Sequence, residues 1–373
     1  MSSSRRDFLK LGTLASVGLA TGAASGADPA PRPPISQDDD LLNLRVSGYP
    51  FEHVRALIDG DVRISGCNTT FRPGKIGDLN THVFSGPQTL DVTEIGLVPF
   101  ILAYANDGFR AYSLIPVFPL RLFRHKSVFI HTDRGIEKPE DLKGRRVGTP
   151  GYSSTSLTWI RGFMQHEFGV SPKDIEWVVS AADSSAEDAG KASAQEQVVP
   201  DGISISVGPQ GKDESDLLLD GDVDALFHAV EPKAFTDGHP KIKRLFNDPR
   251  AVEQDYFRRT GIFPIMHAVA VRNDLIDAHP WLPKAVFDAY AQAKRQRYEA
   301  MNQEWLFGTL PWYGQALDDT RALMGENHWP YGIAENEIAL NALFQYAHEQ
   351  GLAKQRLTIE ELFHASTLQF AES

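Results

Sequence analysis

The sequence predicts an α/β protein of two lobes followed by a helical C-terminal region, and three observations carry that expectation. From Leu42 onward, short apolar runs that read as strands alternate with segments of helical period, the pattern of a mostly parallel sheet. A glycine-containing turn precedes an apolar strand bearing an aspartate in two places. These are Leu90–Glu94 after Gly86-Pro87, and Val223–Phe227 after Asp220-Gly221, an echo compatible with two similar lobes. Beyond Pro280 the strand-like runs stop and helical periods take over. A length of 373 residues is consistent with two to three domains at roughly 150 residues each. With 42% hydrophobic residues the chain can bury an ample core without disulfides or a metal.

The elements follow in order. Leu42–Tyr49 reads as a strand ending in Gly-Tyr, and Phe51–Ile58 as a helix with Val54, Leu57 and Ile58 on one face. Leu90–Ile95 is the next strand, Val98–Tyr104 a helix, and Tyr112–Phe118 and Ser127–His131 two further strands. A second unit begins near Lys138. Pro139–Leu142 starts a short helix, Arg146–Thr149 is a strand, and Gly151–Ser156 is a loop. Leu157, Ile160, Met164 and Phe168 then mark a helix. Ile175–Val179 is a strand. Residues 181–215 form a polar variable loop around one strand, Ile203–Val207, and alter the rim of any cleft. Leu217–Leu219 and Val223–Phe227 repeat the helix-to-strand step, and Pro264–Val271 is the next apolar strand. The helical remainder is interrupted by an aromatic-rich linker over 305–331. Crossovers near 130–137 and 264–272 would place 42–132 with 268–373 in lobe 1, and 133–267 in lobe 2. A cleft would lie between them at the carboxyl ends of the strands.

The N-terminus reads as an export signal. Ser4-Arg5-Arg6-Asp7-Phe8-Leu9-Lys10 is followed by a mild apolar stretch, Leu11–Ala20, and by the small residues Ser25-Gly26-Ala27. A twin arginine, a short h-region and a small-x-small end make a Tat signal over residues 1–27, with a spacer over 28–41. The expected location is therefore periplasmic. The apolar stretch is too short for a bilayer, which takes ~20 residues, so no membrane span is expected after signal removal. The formal charge is −12; the signal contributes a net +2 (Arg5, Arg6 and Lys10 against Asp7), which leaves the remainder at −14. Such a chain is a poor candidate for nucleic acid or anionic membrane. The single cysteine, Cys67, excludes an internal disulfide and a cysteine zinc site. There is no H-E-x-x-H, G-x-S-x-G, Walker loop or G-x-G-x-x-G, so no metal and no cofactor are expected.

Several residues could carry chemistry. Gly151–Ser156, with Tyr152, Ser153, Ser154 and Thr155, lies between a strand and a helix, where free N–H groups and the helix dipole favour an anion; the alternative is a plain cap. Arg121–Lys126, with Arg124 and His125, is either a cationic wall of the cleft or a solvated basic turn. Arg258 and Arg259 beside Phe263 suit an aromatic acid, or simply close a helix on its dipole. Tyr49, Glu94 and His228 stand at strand ends, where each could meet a ligand, act as acid or base, or hold a structural hydrogen bond. His267, inside an apolar strand, is expected to be a satisfied core histidine.

Several ordered strings resemble the 4,5-dihydroxyphthalate decarboxylase-like family. Among them are Pro116-Val117-Phe118-Pro119, Phe123-Arg124-His125, Gly135–Leu142, Arg258–His267, His279-Pro280-Trp281-Leu282, Met324–Gly332, Glu349–Leu352 and Glu360–Phe363. The resemblance covers roughly Leu42–Phe363. It implies the two-lobed fold of type II periplasmic substrate-binding proteins, with two crossover strands. It also implies two functions. The first is an exported, ABC-transporter-linked binding protein, with a permease as partner, closing on a small aromatic carboxylate. Arg124, Arg258 or Arg259 and the Gly151–Ser156 loop would hold the carboxylate, and Tyr49, Tyr152 and Phe263 the ring. The second is an aromatic acid decarboxylase in which Glu94, His125 or His228 supplies a proton.

Overall fold

The computed structural model describes residues 41–372; the expected signal segment and nearly all of the spacer lie outside them. Among the described residues eleven strands form two sheets. They are β1 (Leu42–Gly48), β2 (Cys67–Pro73), β3 (Val92–Gly96), β4 (Tyr112–Ile115), β5 (Val128–His131), β6 (Arg146–Thr149), β7 (Glu176–Val179), β8 (Ile205–Val207), β9 (Ala225–Phe227), β10 (Ile242–Arg244) and β11 (His267–Arg272). Helices of nine residues or more are α1 (Ile76–Phe84), α2 (Leu97–Asp107), α3 (Thr155–Phe168), α4 (Pro249–Thr260), α5 (Leu282–Met301), α6 (Tyr313–Met324) and α7 (Glu337–Glu349).

The first sheet has the order β2-β1-β3-β11-β4, and the second β10-β5-β9-β6-β7-β8. In each, parallel strands make one side of the sheet: β1 with β2 and β3, and β6 with β7, β8's neighbour, and β9. The strand that follows each crossing joins antiparallel, β11 in the first sheet and β5 in the second. The burial pattern explains the strands. On β1, Leu44 and Val46 are buried while Asn43 and Arg45 alternate outward, whereas β3 and β11 lie mid-sheet and are buried on both faces. Helix α2 is buried from Leu97 to Ala103 and stops at Gly108, which takes a left-handed φ of 69°. Helices α3, α5 and α7 bury apolar faces in the same core.

The two-lobed α/β architecture and its helical C-terminal region are as the sequence implies. The first crossover is displaced. β5, expected in lobe 1, pairs with β9 and β10 in the second sheet, so the chain leaves the first sheet after Ile115 and crosses over 116–127. An apolar run such as Val128–His131 carries no mark of which sheet it joins; only the partner strands decide. The return crossing ends in 261–266, and the two crossings pair with each other. Leu122 N donates to Pro264 O (3.1 Å) and Met266 N to Leu120 O (2.8 Å), with Arg121 opposite Ile265. This paired segment is the hinge of the fold. β2, β10 and α1 had no counterpart in the sequence reading. β2 is an edge strand with largely polar Asn68, Thr69, Thr70 and Arg72, and it shows little hydrophobic alternation. The aromatic-rich linker contains α6. Beside it Trp305, Leu306, Phe307, Leu310 and Trp312 are exposed, at 60–76%. No helix of the described residues is long and apolar enough to cross a membrane.

Candidate functional site

A cavity of about 370 Å³ opens between the carboxyl-end loops of the two sheets and the hinge. Its walls come from Tyr49 and Phe51 after β1, Ile76 and Gly77 of α1, Leu120, Leu122 and Arg124 of the hinge, the N-terminus of α3, and residues 183–196. The lining is mostly apolar with a few convergent polar groups, the usual character of a small-molecule site.

His267 forms its floor, with Glu94 directly behind it. They sit on antiparallel neighbours β3 and β11, diagonal to one another, so both side chains leave the sheet on one face. Glu94 Oε1 lies 2.5 Å from His267 Nδ1, and Glu94 Oε2 accepts the Tyr49 backbone N–H at 2.7 Å. Position 48 must be glycine for this packing, because a Cβ there would meet Glu94 Oε2 at 2.9 Å. With Nδ1 tied to the carboxylate, the other ring nitrogen of His267 is left to the cavity that its ring lines. The Tyr49 ring stacks on His267 at a centroid distance of 6.0 Å and an interplanar angle of 12°.

Arg124 is the cation of the cavity. It is 5% exposed, its Nη1 donates to Ala229 O at 2.8 Å, and its Nε has no partner. No carboxylate pairs with it among the described residues. Burial pulls its pKa down to about 10, Glu253 opposing from a distance. A buried guanidinium with a spare donor and no counter-ion is unusual, since buried charges are ordinarily paired.

The α3 N-terminus supplies further donors. Ser154 caps the helix through Leu157 N (3.4 Å), and its carbonyl receives Thr158 N (3.0 Å). The N–H groups of Thr155 and Ser156 are left as first-turn donors, and both residues line the cavity.

The rim is the segment 183–196, which packs onto lobe 1. Tyr49 Oη donates to Asp188 O (3.3 Å), Lys191 N to Asp78 Oδ1 (3.2 Å) and Asn80 Nδ2 to Glu196 Oε2 (3.2 Å). Gly77 admits this contact: a Cβ there would lie 2.5 Å from Lys191 O. The variable loop therefore does form the cleft's rim.

Behind the rim, His228 lies between Glu214 and Asp183. Its Nε2 is 2.7 Å from Glu214 Oε1 and 3.9 Å from Asp183 Oδ1, and its Nδ1 is 2.6 Å from Val230 O. Acceptors at both nitrogens call for the imidazolium. Burial opposes the charge, but Asp183 and Glu214 raise the His228 pKa to about 9. Burial likewise works against the two carboxylates, yet His228 and serine donors hold both below their ordinary values. Asp183, Glu214 and His228 are the one group among the described residues that could hold a metal, with ligand atoms within 4.8 Å of one another. Glu214 Oε1 already accepts Ser184 N and Oγ, and Asp183 Oδ1 accepts Ser185 N and Oγ. Three net charges of −1, −1 and +1 with filled acceptors make a self-sufficient cluster.

Of the residues singled out from sequence, Tyr49, Arg124, Ser154 and Thr155 line the cavity, Glu94 stands directly behind it, and His228 anchors Ala229 and Val230 in its wall. Six do not meet it. His125 is stacked on Phe163 at 4.1 Å in the core, where burial lowers its pKa to about 4. Tyr152 packs against Trp177 and under the Arg161 guanidinium. Ser153 is consumed by Gln195 O and Val198 N. Arg258 lines a surface groove with Asp248 and Asp319, and Arg259 pairs with Glu167 and Asp255. Phe263 faces a second cavity across the hinge. Residues adjacent in a loop point to opposite sides, which places Arg124 in the cleft and His125 in the core. His267 is the reverse case: expected in the core, it lines the cavity.

The fold is that of the two-lobed periplasmic solute-binding proteins. A periplasmic sulfonate-binding protein of an ABC transporter from Methylobacillus flagellatus superposes with a TM-score of 0.52, at 14% identity over 88% of this chain and 93% of that one. Residues 121–197 match the NMT1/THI5 like family. A 4,5-dihydroxyphthalate decarboxylase from Comamonas testosteroni is 36% identical over 331 residues, covering 88% of this chain and 98% of the relative. A Pseudomonas putida protein of the same name is 32% identical, covering 58% and 82%. The chain belongs to the 4,5-dihydroxyphthalate decarboxylase-like family.

Proposed function

We propose that the chain is an exported solute-binding protein whose cleft closes on a small aromatic carboxylate and hands it to an ABC permease. The observation that carries this reading is Arg124, a buried cation lining the cavity without a counter-ion. A carboxylate from the ligand would supply the missing charge, with the Thr155 and Ser156 N–H groups as further donors. The Tyr49 and Phe51 rings would cover the flat face of the ligand. Asp183, Asp188 and Glu196 also line the cavity. They would accept hydrogen bonds from ring hydroxyls, which favours a hydroxylated aromatic acid. The twin-arginine segment supports export through the Tat route. Calorimetry with phthalate and 4,5-dihydroxyphthalate, with product analysis on the same samples, tests the reading. Saturable binding of unchanged ligand is expected; turnover at a useful rate would overturn it.

The Glu94–His267 pair and the family membership favour a second reading, decarboxylation of a dihydroxylated aromatic acid. The His267 Nε2–H would protonate the ring carbon that bears the carboxylate. The C–C bond would then break, its electron pair would restore the aromatic ring, and carbon dioxide would leave. Glu94 would hold the imidazolium, and Arg124 would orient the second carboxylate. Release of carbon dioxide from 4,5-dihydroxyphthalate that is lost in His267→Gln would establish this reading; its absence would exclude it for that substrate.

A further inference from the structure

A second cavity, of about 480 Å³, lies on the opposite side of the hinge from the cleft. The two share Leu122 in their linings, and residues of the hinge alternate between them: Leu120 and Arg124 line the cleft, Arg121 and Phe263 the second cavity. Four buried polar atoms on the wall of the second cavity have no hydrogen-bond partner: Arg121 Nε, His53 Nε2, His328 Nδ1 and Tyr313 Oη. Arg121 is 2% exposed and donates to Phe263 O (2.7 Å), Asn336 Oδ1 (2.7 Å) and Pro330 O (3.3 Å), all uncharged acceptors. It has no carboxylate partner among the described residues. Of the other cations there, Lys294 pairs with Glu372 and Arg297 with Glu52 and Glu304, while Lys126 shares the wall with Glu253, which its backbone N–H meets at 3.2 Å. Flat rings make the rest of the wall. Phe123 stacks on Phe263 at 4.8 Å, and Trp329 meets both Phe263 and His53 at 5.3 Å. The outer wall is α6, each of whose residues is at least partly exposed, which gives an entry path.

We infer that this cavity is a second binding site, for a small aromatic monoanion, built on the hinge. An aromatic ring against the exposed faces of Phe263 and Trp329 and a carboxylate on Arg121 Nε would satisfy the unpaired guanidinium. The volume suits a molecule of one or two rings. Because Arg121 and Arg124 stand on one paired hinge segment, a ligand on one side changes the closure that the ligand on the other side requires. The coupling is reciprocal. The site stands on its own observations; the coupling rests on the cleft binding a carboxylate.

Fluorine NMR with 4-fluorobenzoate tests this on the whole protein. Two bound resonances are expected. Thr320→Trp, which fills the second cavity from α6, should remove one and leave the other. Arg124→Gln should do the converse. In wild type, filling the second site should change the cleft affinity at least threefold relative to Thr320→Trp. A single bound resonance that Arg124→Gln removes, or a second resonance that survives Thr320→Trp, would overturn the proposal. A resonance lost only in Thr320→Trp, with none sensitive to Arg124→Gln, would uphold the hinge site and refute the cleft reading instead.

Discussion

Arg124→Gln separates a ligand-binding arginine from a structural one, because the two roles predict different effects on stability. In the free protein the guanidinium is 5% exposed, unpaired, and held by one hydrogen bond to Ala229 O at 2.8 Å. Its depressed pKa, about 10, reports the cost of that burial. Glutamine removes the buried charge, which offsets the loss of the Ala229 bond that its shorter amide cannot reach, so the unliganded protein should keep its stability to within about 1 kcal/mol. The complex loses its carboxylate partner. A hydrogen bond to a charged group contributes roughly 1.5–3 kcal/mol, and the upper end suits a water-excluded cleft. That corresponds to an affinity about 100-fold weaker, at 1.4 kcal/mol per factor of ten. Arg124→Lys, which keeps the charge but not the fork, should fall between. Calorimetry with phthalate gives the affinity, and urea unfolding of the free protein gives the stability. A larger loss of stability with less than a fivefold change in affinity would refute the reasoning and make Arg124 a strut between the hinge and residue 229.

Three other outcomes follow from the packing and charges. His228 titrates higher in the folded chain, from 6.5 to about 9, so its contribution is complete below pH 6.5 and is lost as pH rises through 9. The shift corresponds to roughly 3 kcal/mol. Wild type should therefore exceed Glu214→Gln in urea stability by part of that at pH 6, since Asp183 also favours the imidazolium, and by less at pH 10; an unchanged difference would show that His228 is not charged. Gly162→Ala should destabilise by about 1–3 kcal/mol in thermal unfolding, because its Cβ would lie 2.0 Å from the Tyr346 ring, far outweighing the better helix propensity of alanine. A neutral result would mean that α3 and α7 separate easily. Gly77→Val should push the rim off α1 at Lys191 O and weaken phthalate affinity about tenfold with little change in global stability; equal loss of both would place the contact in the general core.

The sequence made the lobes legible because strands and helices announce themselves by period, and β1, β3, β6 and β9 keep theirs. It did not reveal which sheet β5 joins, since pairing partners are distant in the chain, nor β2, whose edge position tolerates polar residues. Arg124 was recognisable as a cation beside a strand end, but its neighbours in kind were not separable from it. Arg258 and Arg259 have the same composition around them and face outward, on the last turn of α4. His267 is buried and hydrogen-bonded as an apolar strand argues, but its place on the cavity wall is not legible in sequence, because its partner Glu94 lies 173 residues away and only the β3–β11 pairing brings them together. The second cavity had no signature at all, being assembled from the hinge, α5, α6 and the segment after it.

The account turns on whether the cleft takes an aromatic carboxylate at Arg124. A crystal structure of the protein grown with saturating phthalate reads this directly. A carboxylate oxygen is expected within about 3 Å of an Arg124 nitrogen, the distance of a charge-assisted hydrogen bond, with the ring against Tyr49 and His267. A cleft left empty at saturation, or phthalate seated with its carboxylates away from Arg124, would contradict it.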